Sequence, residues 1–401
     1  MEAFPPSQHL RLALLYFCTA MPMGIWSVPL ANVFAAHGKG HLVPWVLATT
    51  ATAAFVSPLF VGAMADQRTA PTRLMRWLAI LTSVTLTLTC LTLHWRLADG
   101  LVLVCAQLQS LVATPVWSIA SSIVFSRLTD PKRQFGPLRA CATLGWMAGC
   151  WLISFVLHSD SSLRGGFTAA GLWLLVAVLT HLLPDVSPAD AGQPRSWTQV
   201  LGLDALQLLK NRDHRVVFIT AALYCIPLAA FYPYTALQLR ELGVANVSAV
   251  MSLAQTTEIA VMLLLARVMA RFRLKWVFAS GIAICVLRYG LNAVNTPPWI
   301  MVGTTLHGLA FTLYFITTQI YLEERIDPRW RVRAQALLTL LMSGVGNLLG
   351  YLGGGAWHHF CQSPAGTDWT RFWLGETALT ALVCLFFLIA YRGKTSSAES
   401  R

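Results

Sequence analysis

Several polar and aromatic side chains recur at helical spacing inside stretches that are otherwise apolar. Arg139, Thr143 and Trp146 stand at i, i+4 and i+7, so one helix face carries a guanidinium, a hydroxyl and an indole. That stripe suits a ligand with a ring and several hydroxyl groups. The plainer reading is that Arg139 snorkels to a membrane surface while Trp146 packs against neighbours. Gln255 and Glu258 share a face one turn apart, and Glu258 is the candidate proton carrier. A carboxyl in a poorly hydrated cavity holds its proton more firmly, and an approaching cation, for which Arg139 is the candidate, loosens it. A static ion pair between Glu258 and Arg288 is the alternative. His307, Phe311 and Tyr314 form a third stripe, in which His307 is either a ligand contact or a hydrogen-bonded packing residue. Trp26 could stack on a ligand ring or simply fill space.

The elements that carry these residues are membrane spans. About 20 apolar residues in a helix cross the hydrocarbon layer, and runs of that kind cover 12 to 36, 43 to 65, 77 to 95, 100 to 126, 134 to 158, 165 to 183, 216 to 239, 242 to 266, 276 to 296, 297 to 322, 334 to 357 and 374 to 391. Only Arg139, Glu258, Arg288 and Glu376 place a formal charge inside them. Ionisable groups at membrane depth are costly and tend to face cavities or partners, so chemistry is sought there first. The chain is 56% hydrophobic and 11% charged, far from soluble composition.

The net charge of +12 reports topology. With the N-terminus in the cytoplasm, 22 of the 29 Lys and Arg residues fall inside and 5 outside, which predicts both termini cytoplasmic and excludes a nucleic-acid partner as the reason for the basic excess. Eight of the nine cysteines lie in spans and Cys361 in a loop, so neither a disulfide framework nor a metal spacing is legible. The first span is too long for a signal-peptide core and carries Pro22 and Pro29, so it reads as a retained helix. No Ser, His and Asp set and no nucleotide loop points to an enzyme, and no cofactor is expected.

The polar interval 184 to 215 divides the spans six and six, giving an N-terminal bundle at 1 to 183, a cytoplasmic linker, and a C-terminal bundle at 216 to 401. A surface helix is expected around Leu201 to Leu209. The halves echo one another. A basic turn follows the second span (Gly62, Asp66, Arg68, then Arg73 and Arg76) and another follows the eighth (Arg267, Arg271, Arg273, Lys275). The first helix of each half holds two prolines, Pro22 and Pro29 or Pro227 and Pro233. Internal duplication with binding at the seam is the plan of secondary transporters. On helix eleven, Gly344, Gly346, Gly350, Gly353, Gly354 and Gly355 read as a packing surface for close helix approach.

Twelve spans in two sixes, with Gly62-x-x-x-Asp66-x-Arg68 between the second and third, resemble the major facilitator superfamily; the later part of that signature is replaced by Ala70-Pro71-Thr72-Arg73. Finer segments resemble its nucleoside:proton symporter family: Ser196 to Ala205 with Lys210-Asn211, Pro137-Leu-Arg139-x-x-x-Thr143-x-Gly145, Gln255-x-x-Glu258, Arg333-Ala-x-Ala336 and Asp368-Trp369. The resemblance implies an all-α membrane protein of twelve transmembrane helices in two pseudo-symmetric bundles, in a bacterial inner membrane. It also implies import of a nucleoside with a proton by alternating access, with no cofactor, as a monomer. Arg139 and Thr143 match that family's substrate contacts. Substrate is then expected at Arg139, Thr143, Trp146, Gln255, His307, Phe311 and Trp26, the proton at Glu258 with Arg139, and the loop motif at Gly62, Asp66 and Arg68.

Ala229 and Tyr232 stand where the family presents Gln and Asn, His307 replaces a tyrosine, and Thr312 replaces an acidic residue. Such losses alter specificity by orders of magnitude, because a site built around polar groups rejects ligands that leave them unpaired. His307 after an arginine on helix nine also resembles the oligosaccharide:proton symporters, though Ala310 occupies the position of their acidic residue. A sugar:proton symporter is therefore the alternative, and a non-transporting membrane sensor with the same fold a second one.

Overall fold

The computed structural model describes residues 6–57, 69–128, 131–183, 196–364 and 366–393. In chain order its principal helices are α1 (Pro6–Ser27), α2 (Leu30–Ala36), α3 (Val43–Ser57), α4 (Pro71–His94), α5 (Asp99–Phe125), α6 (Pro131–Trp151), α7 (Leu163–Leu179), α8 (Arg212–Ala229) and α9 (Phe231–Glu241). They continue with α10 (Val247–Met251), α11 (Leu253–Arg271), α12 (Leu274–Ala293), α13 (Pro297–Phe311), α14 (Thr317–Arg325), α15 (Arg331–Thr339), α16 (Asn347–Phe360) and α17 (Trp369–Ala390). A hairpin of two residues a side, Gln362–Ser363 against Gly366–Thr367, is the one sheet among the described residues. Among the described residues, eleven helical stretches are long and apolar enough to cross a membrane. The second expected span is described only as far as Ser57, and the Gly62, Asp66 and Arg68 turn lies outside the described residues.

The helices gather into two compact units. One comprises Met1–Trp197 with Tyr232–Ser252, the other Thr198–Phe231 with Leu253–Arg401. The chain thus changes unit after Phe231 and again after Ser252, next to the breaks that separate α8 from α9 and α10 from α11.

In the first unit the proline effects are unequal. Pro22 is absorbed within α1, whereas the helix stops at Ser27 and restarts after Pro29, the cap residue of α2. A proline disfavours helical backbone at the residue before it, here Val28, which is where the break falls. Helices α1 and α6 meet backbone to backbone. A Cβ on Gly145 would lie 2.1 Å from the Phe17 carbonyl oxygen, one on Gly149 2.3 Å from that of Met21, and one on Gly24 2.4 Å from that of Trp146. Glycines at four-residue spacing permit this approach where lipid offers no hydrophobic contrast. The Tyr232–Ser252 segment is tied to the same unit by polar bonds. Asp160 Oδ1 accepts from the Ser248 amide at 2.7 Å and from Ser154 Oγ at 3.0 Å, and Ser154 Oγ accepts from the Ala249 amide at 3.0 Å.

In the second unit Asn211 starts α8 by accepting from the amides of Asp213 and His214 at 2.9 and 3.2 Å, a side-chain cap that carries the helix one turn before the expected start at 216. The surface helix expected around Leu201 to Leu209 is a 3₁₀ helix, Leu203–Lys210. It begins after Gly202, whose φ of +69° and position against the Arg333 carbonyl leave no room for a side chain. Arg333 Nη1 reaches Asp204 Oδ2 at 3.9 Å. Two of the segments that carried the family resemblance are thus one docking surface. Of the glycines between 344 and 355, Gly346 and Gly350 carry close packing, against the carbonyls of Ala222 and Ile226 on α8, while a Cβ on Gly353 would meet nothing within 4 Å.

Candidate functional site

Within the first unit, the α6 stripe is held in place by Gly145 and Gly149, which press α6 onto α1. The Arg139 guanidinium lies over the Trp117 ring at 4.8 Å, a cation–π contact that fixes its direction. Thr143, one turn on, is buried. Trp146 is half-buried, its ring 6.1 Å from that of Tyr232 on α9. Its Nε1 is shielded from solvent and has no hydrogen-bond partner among the described residues. A buried indole N–H normally finds an acceptor, so this donor is suited to a ligand. Tyr232, which stands where the resemblance called for a polar amide, therefore closes on the Trp146 indole as an aromatic wall.

Trp26 is placed differently. It is 6% exposed, and a Cβ on Gly166 would lie 2.8 Å from its Cζ3 atom and 2.3 Å from Cys90 Sγ. Its ring belongs to the hydrophobic core of the first unit, which leaves little surface for a ligand.

In the second unit Gln255 and Glu258 share a face of α11 and are both buried, at 6% and 9% exposure. Helix α13 crosses them closely. Gly308 has the Ala254 carbonyl oxygen and the Glu258 amide each 2.2 Å from where its Cβ would be, and Thr257 Oγ1 donates to the Thr305 carbonyl. The residue before that glycine is His307. Its ring stacks on Phe231 at 4.3 Å and 13°, with Phe311 6.1 Å away. The expected His307, Phe311, Tyr314 stripe splits at this point. A π turn over Thr312–Ile316 follows Phe311, and its wider pitch sends Tyr314 to the core between Tyr224, at 4.8 Å, and Phe278, at 5.4 Å. Phe315 takes its place beside Phe311 at 5.1 Å.

Arg288 on α12 is wholly buried. Its Nη1 contacts His307 Nδ1, its Nη2 donates to Cys285 Sγ at 3.2 Å, and its guanidinium lies 4.3 Å from the Phe231 ring centre and 4.4 Å from that of Tyr289. Among the described residues it forms no ion pair, so the alternative of an Arg288 and Glu258 pair is replaced by an arginine and histidine couple between aromatic faces. Sequence reasoning linked His307 to the preceding arginine only through the oligosaccharide symporter resemblance, without expecting their contact, and missed Phe231. The signal available was their polarity on consecutive spans, but the geometry depends on Gly303, which brings α13 against the Arg288 carbonyl. Glu376 on α17 is also buried, with one carboxyl oxygen lacking a partner among the described residues.

A family model described as nucleoside H+ symporter matches residues 7–396. The chain is 29% identical to YegT of Escherichia coli strain K12, named as a candidate nucleoside transporter, over 95% of this chain and 93% of that protein. It is 24% identical to the nucleoside permease NupG of the same organism, covering 96% of each. Among solved structures, a mutant form of the nucleoside transporter NupG superposes with a TM-score of 0.89 at 22% identity, covering 96% of this chain and all of the other, which supports the shared fold.

Proposed function

The chain belongs to the nucleoside H+ symporter family, a family of transporters and not of enzymes, and from that premise we propose which of its residues bind substrate and which carries the proton. Arg139, Thr143 and Trp146 are the ligand groups of the first unit. The guanidinium and hydroxyl donate to ribose hydroxyls or base acceptors, and the Trp146 N–H gives a further donor. Gln255, His307 and Phe311 are those of the second unit, Phe311 offering its face to the base. Glu258 takes up and releases the proton. The reading places both termini in the cytoplasm of a bacterial inner membrane, from the one-sided distribution of Lys and Arg.

The observation that carries this reading is the buried Glu258 carboxyl beside Gln255, on a stretch of α11 held by the Gly308 crossing. A titratable carboxyl buried at membrane depth is costly to keep and tends to mark an ion or proton path, which supports a part for Glu258 in turnover. The hydrogen bonds are what select the ligand, since each donor left unpaired by a wrong ligand weakens binding. Competition tests the substrate class. Uptake of labelled uridine into proteoliposomes under an inward acid gradient is expected to be displaced by other nucleosides and not by disaccharides; displacement by disaccharides alone would overturn the reading.

A further inference from the structure

The second unit holds an apolar groove of about 660 Å³, walled by α11, α12, α13 and α17, that no part of the transport reading uses. Its volume falls in the range of roughly 300–1,000 Å³ typical of small-molecule sites. The groove exists because α12 presents Ala279, Ser280 and Ala283, small residues at helical spacing, between bulkier neighbours such as Leu264 and Leu313. Ser280 carries the one hydroxyl of the lining, and it is already bonded to the Val277 carbonyl at 2.8 Å. The site is therefore built for hydrocarbon.

One end of the groove is chemically different. Helix α11 ends at Arg271, α12 begins at Leu274, and α17 ends at Ala390, so the groove runs up to the 267 to 275 turn. Phe272 and Trp276 line that end and are both more than half exposed. An exposed tryptophan at a helix end is the usual marker of the headgroup level. Arg267, Arg271 and Arg273 are exposed there and form no ion pair among the described residues. Lys275 Nζ donates to the Leu388 carbonyl at 2.7 Å, which clamps the basic turn to the α17 wall of the groove.

We propose that this groove binds an anionic phospholipid of the cytoplasmic leaflet, one acyl chain lying over Ala279 and Ala283 and the phosphate held by Arg267, Arg271 and Arg273. Clustered basic residues at a helix end attract anionic lipid, and the apolar channel beside them converts that diffuse attraction into a seat for a single molecule. The leaflet follows from the orientation proposed above; the binding itself does not depend on it.

The test is native mass spectrometry of the delipidated full chain titrated with phosphatidylglycerol or phosphatidylethanolamine. The anionic lipid should bind at least about tenfold more tightly. Replacing Arg267, Arg271 and Arg273 by Gln should abolish that preference while leaving a weak common affinity for both lipids. Ala283→Trp, on the open side of the groove, should reduce retention of both lipids, and glycerophosphoglycerol, which has the headgroup without chains, should not compete. A cooperative thermal unfolding transition in each variant, without added ligand, shows that it is folded. Equal affinity for the two lipids in the unaltered protein, unchanged retention in Ala283→Trp, or full competition by the chain-free headgroup would each overturn the proposal. None of these outcomes bears on nucleoside transport.

Discussion

The guanidinium of Arg288 meets Nδ1 of His307, and this contact fixes the state of the histidine. Arginine has only donors, so Nδ1 must be the unprotonated acceptor and the ring proton must sit on Nε2. In this contact His307 accepts at Nδ1 while its ring is held between Phe231 and the α12 arginine. His307→Asn, which can still accept from Arg288, should unfold within a few degrees of the parent. His307→Phe should lose about 1.5–3 kcal/mol, the worth of a hydrogen bond to a charged group. Thermal unfolding in detergent distinguishes the two; equal loss in both variants would mean the contact is not a stabilising bond.

The Trp146 N–H has no internal partner among the described residues, so its removal should cost binding and not stability. Trp146→Phe should keep its melting temperature and raise KM for uridine about five- to tenfold, the effect of roughly 1–1.4 kcal/mol. A lowered melting temperature with unchanged KM would assign the donor to the fold instead. The comparison uses uptake kinetics and thermal unfolding on the same preparation.

Close packing of α1 on α6 sets where the Arg139, Thr143, Trp146 stripe lies. In Gly145→Ala the new methyl would press on the Phe17 carbonyl oxygen, and overpacking of this kind costs about 1–3 kcal/mol. Gly100→Ala is the control, since nothing lies within 4 Å of its Cβ position. The first variant should lose folded yield and uptake together, and the control should match the parent.

Asp160 caps α10 from far along the chain, accepting from the Ser248 amide, and so ties the Tyr232–Ser252 segment to the first unit. Asp160→Ala should cost about 0.5–2 kcal/mol locally. Hydrogen exchange of the Val247–Met251 amides should then accelerate while exchange in α4 and α5 stays unchanged.

Much of the architecture could be read from composition and periodicity, because lipid punishes every interior charge and rewards every apolar turn. The expected spans at 77 to 95, 100 to 126 and 276 to 296 correspond to α4, α5 and α12 within a few residues, apart from the earlier start of α4 at Pro71. Capping and packing were less legible. The early start of α8 depends on the Asn211 side chain, and the break in the first span on Pro29 and not Pro22. Helical spacing put Gln255 and Glu258 together, and both are buried on α11, but it assumed a uniform pitch through α13. The π turn after Phe311 broke that assumption and moved Tyr314 into the core. The Arg288 and His307 couple is a tertiary relationship between spans, and no periodicity within one helix encodes it.

The central claim is that Glu258 carries the coupled proton. Reconstituted Glu258→Gln is the most direct measurement, with uridine counterflow and acid-gradient-driven uptake followed in the same vesicles. Counterflow should persist, because Gln keeps the size and hydrogen-bonding capacity of the protonated acid, while accumulation against a uridine gradient should vanish and net uptake should lose its pH dependence. Full accumulation driven by the pH gradient in Glu258→Gln would contradict the account.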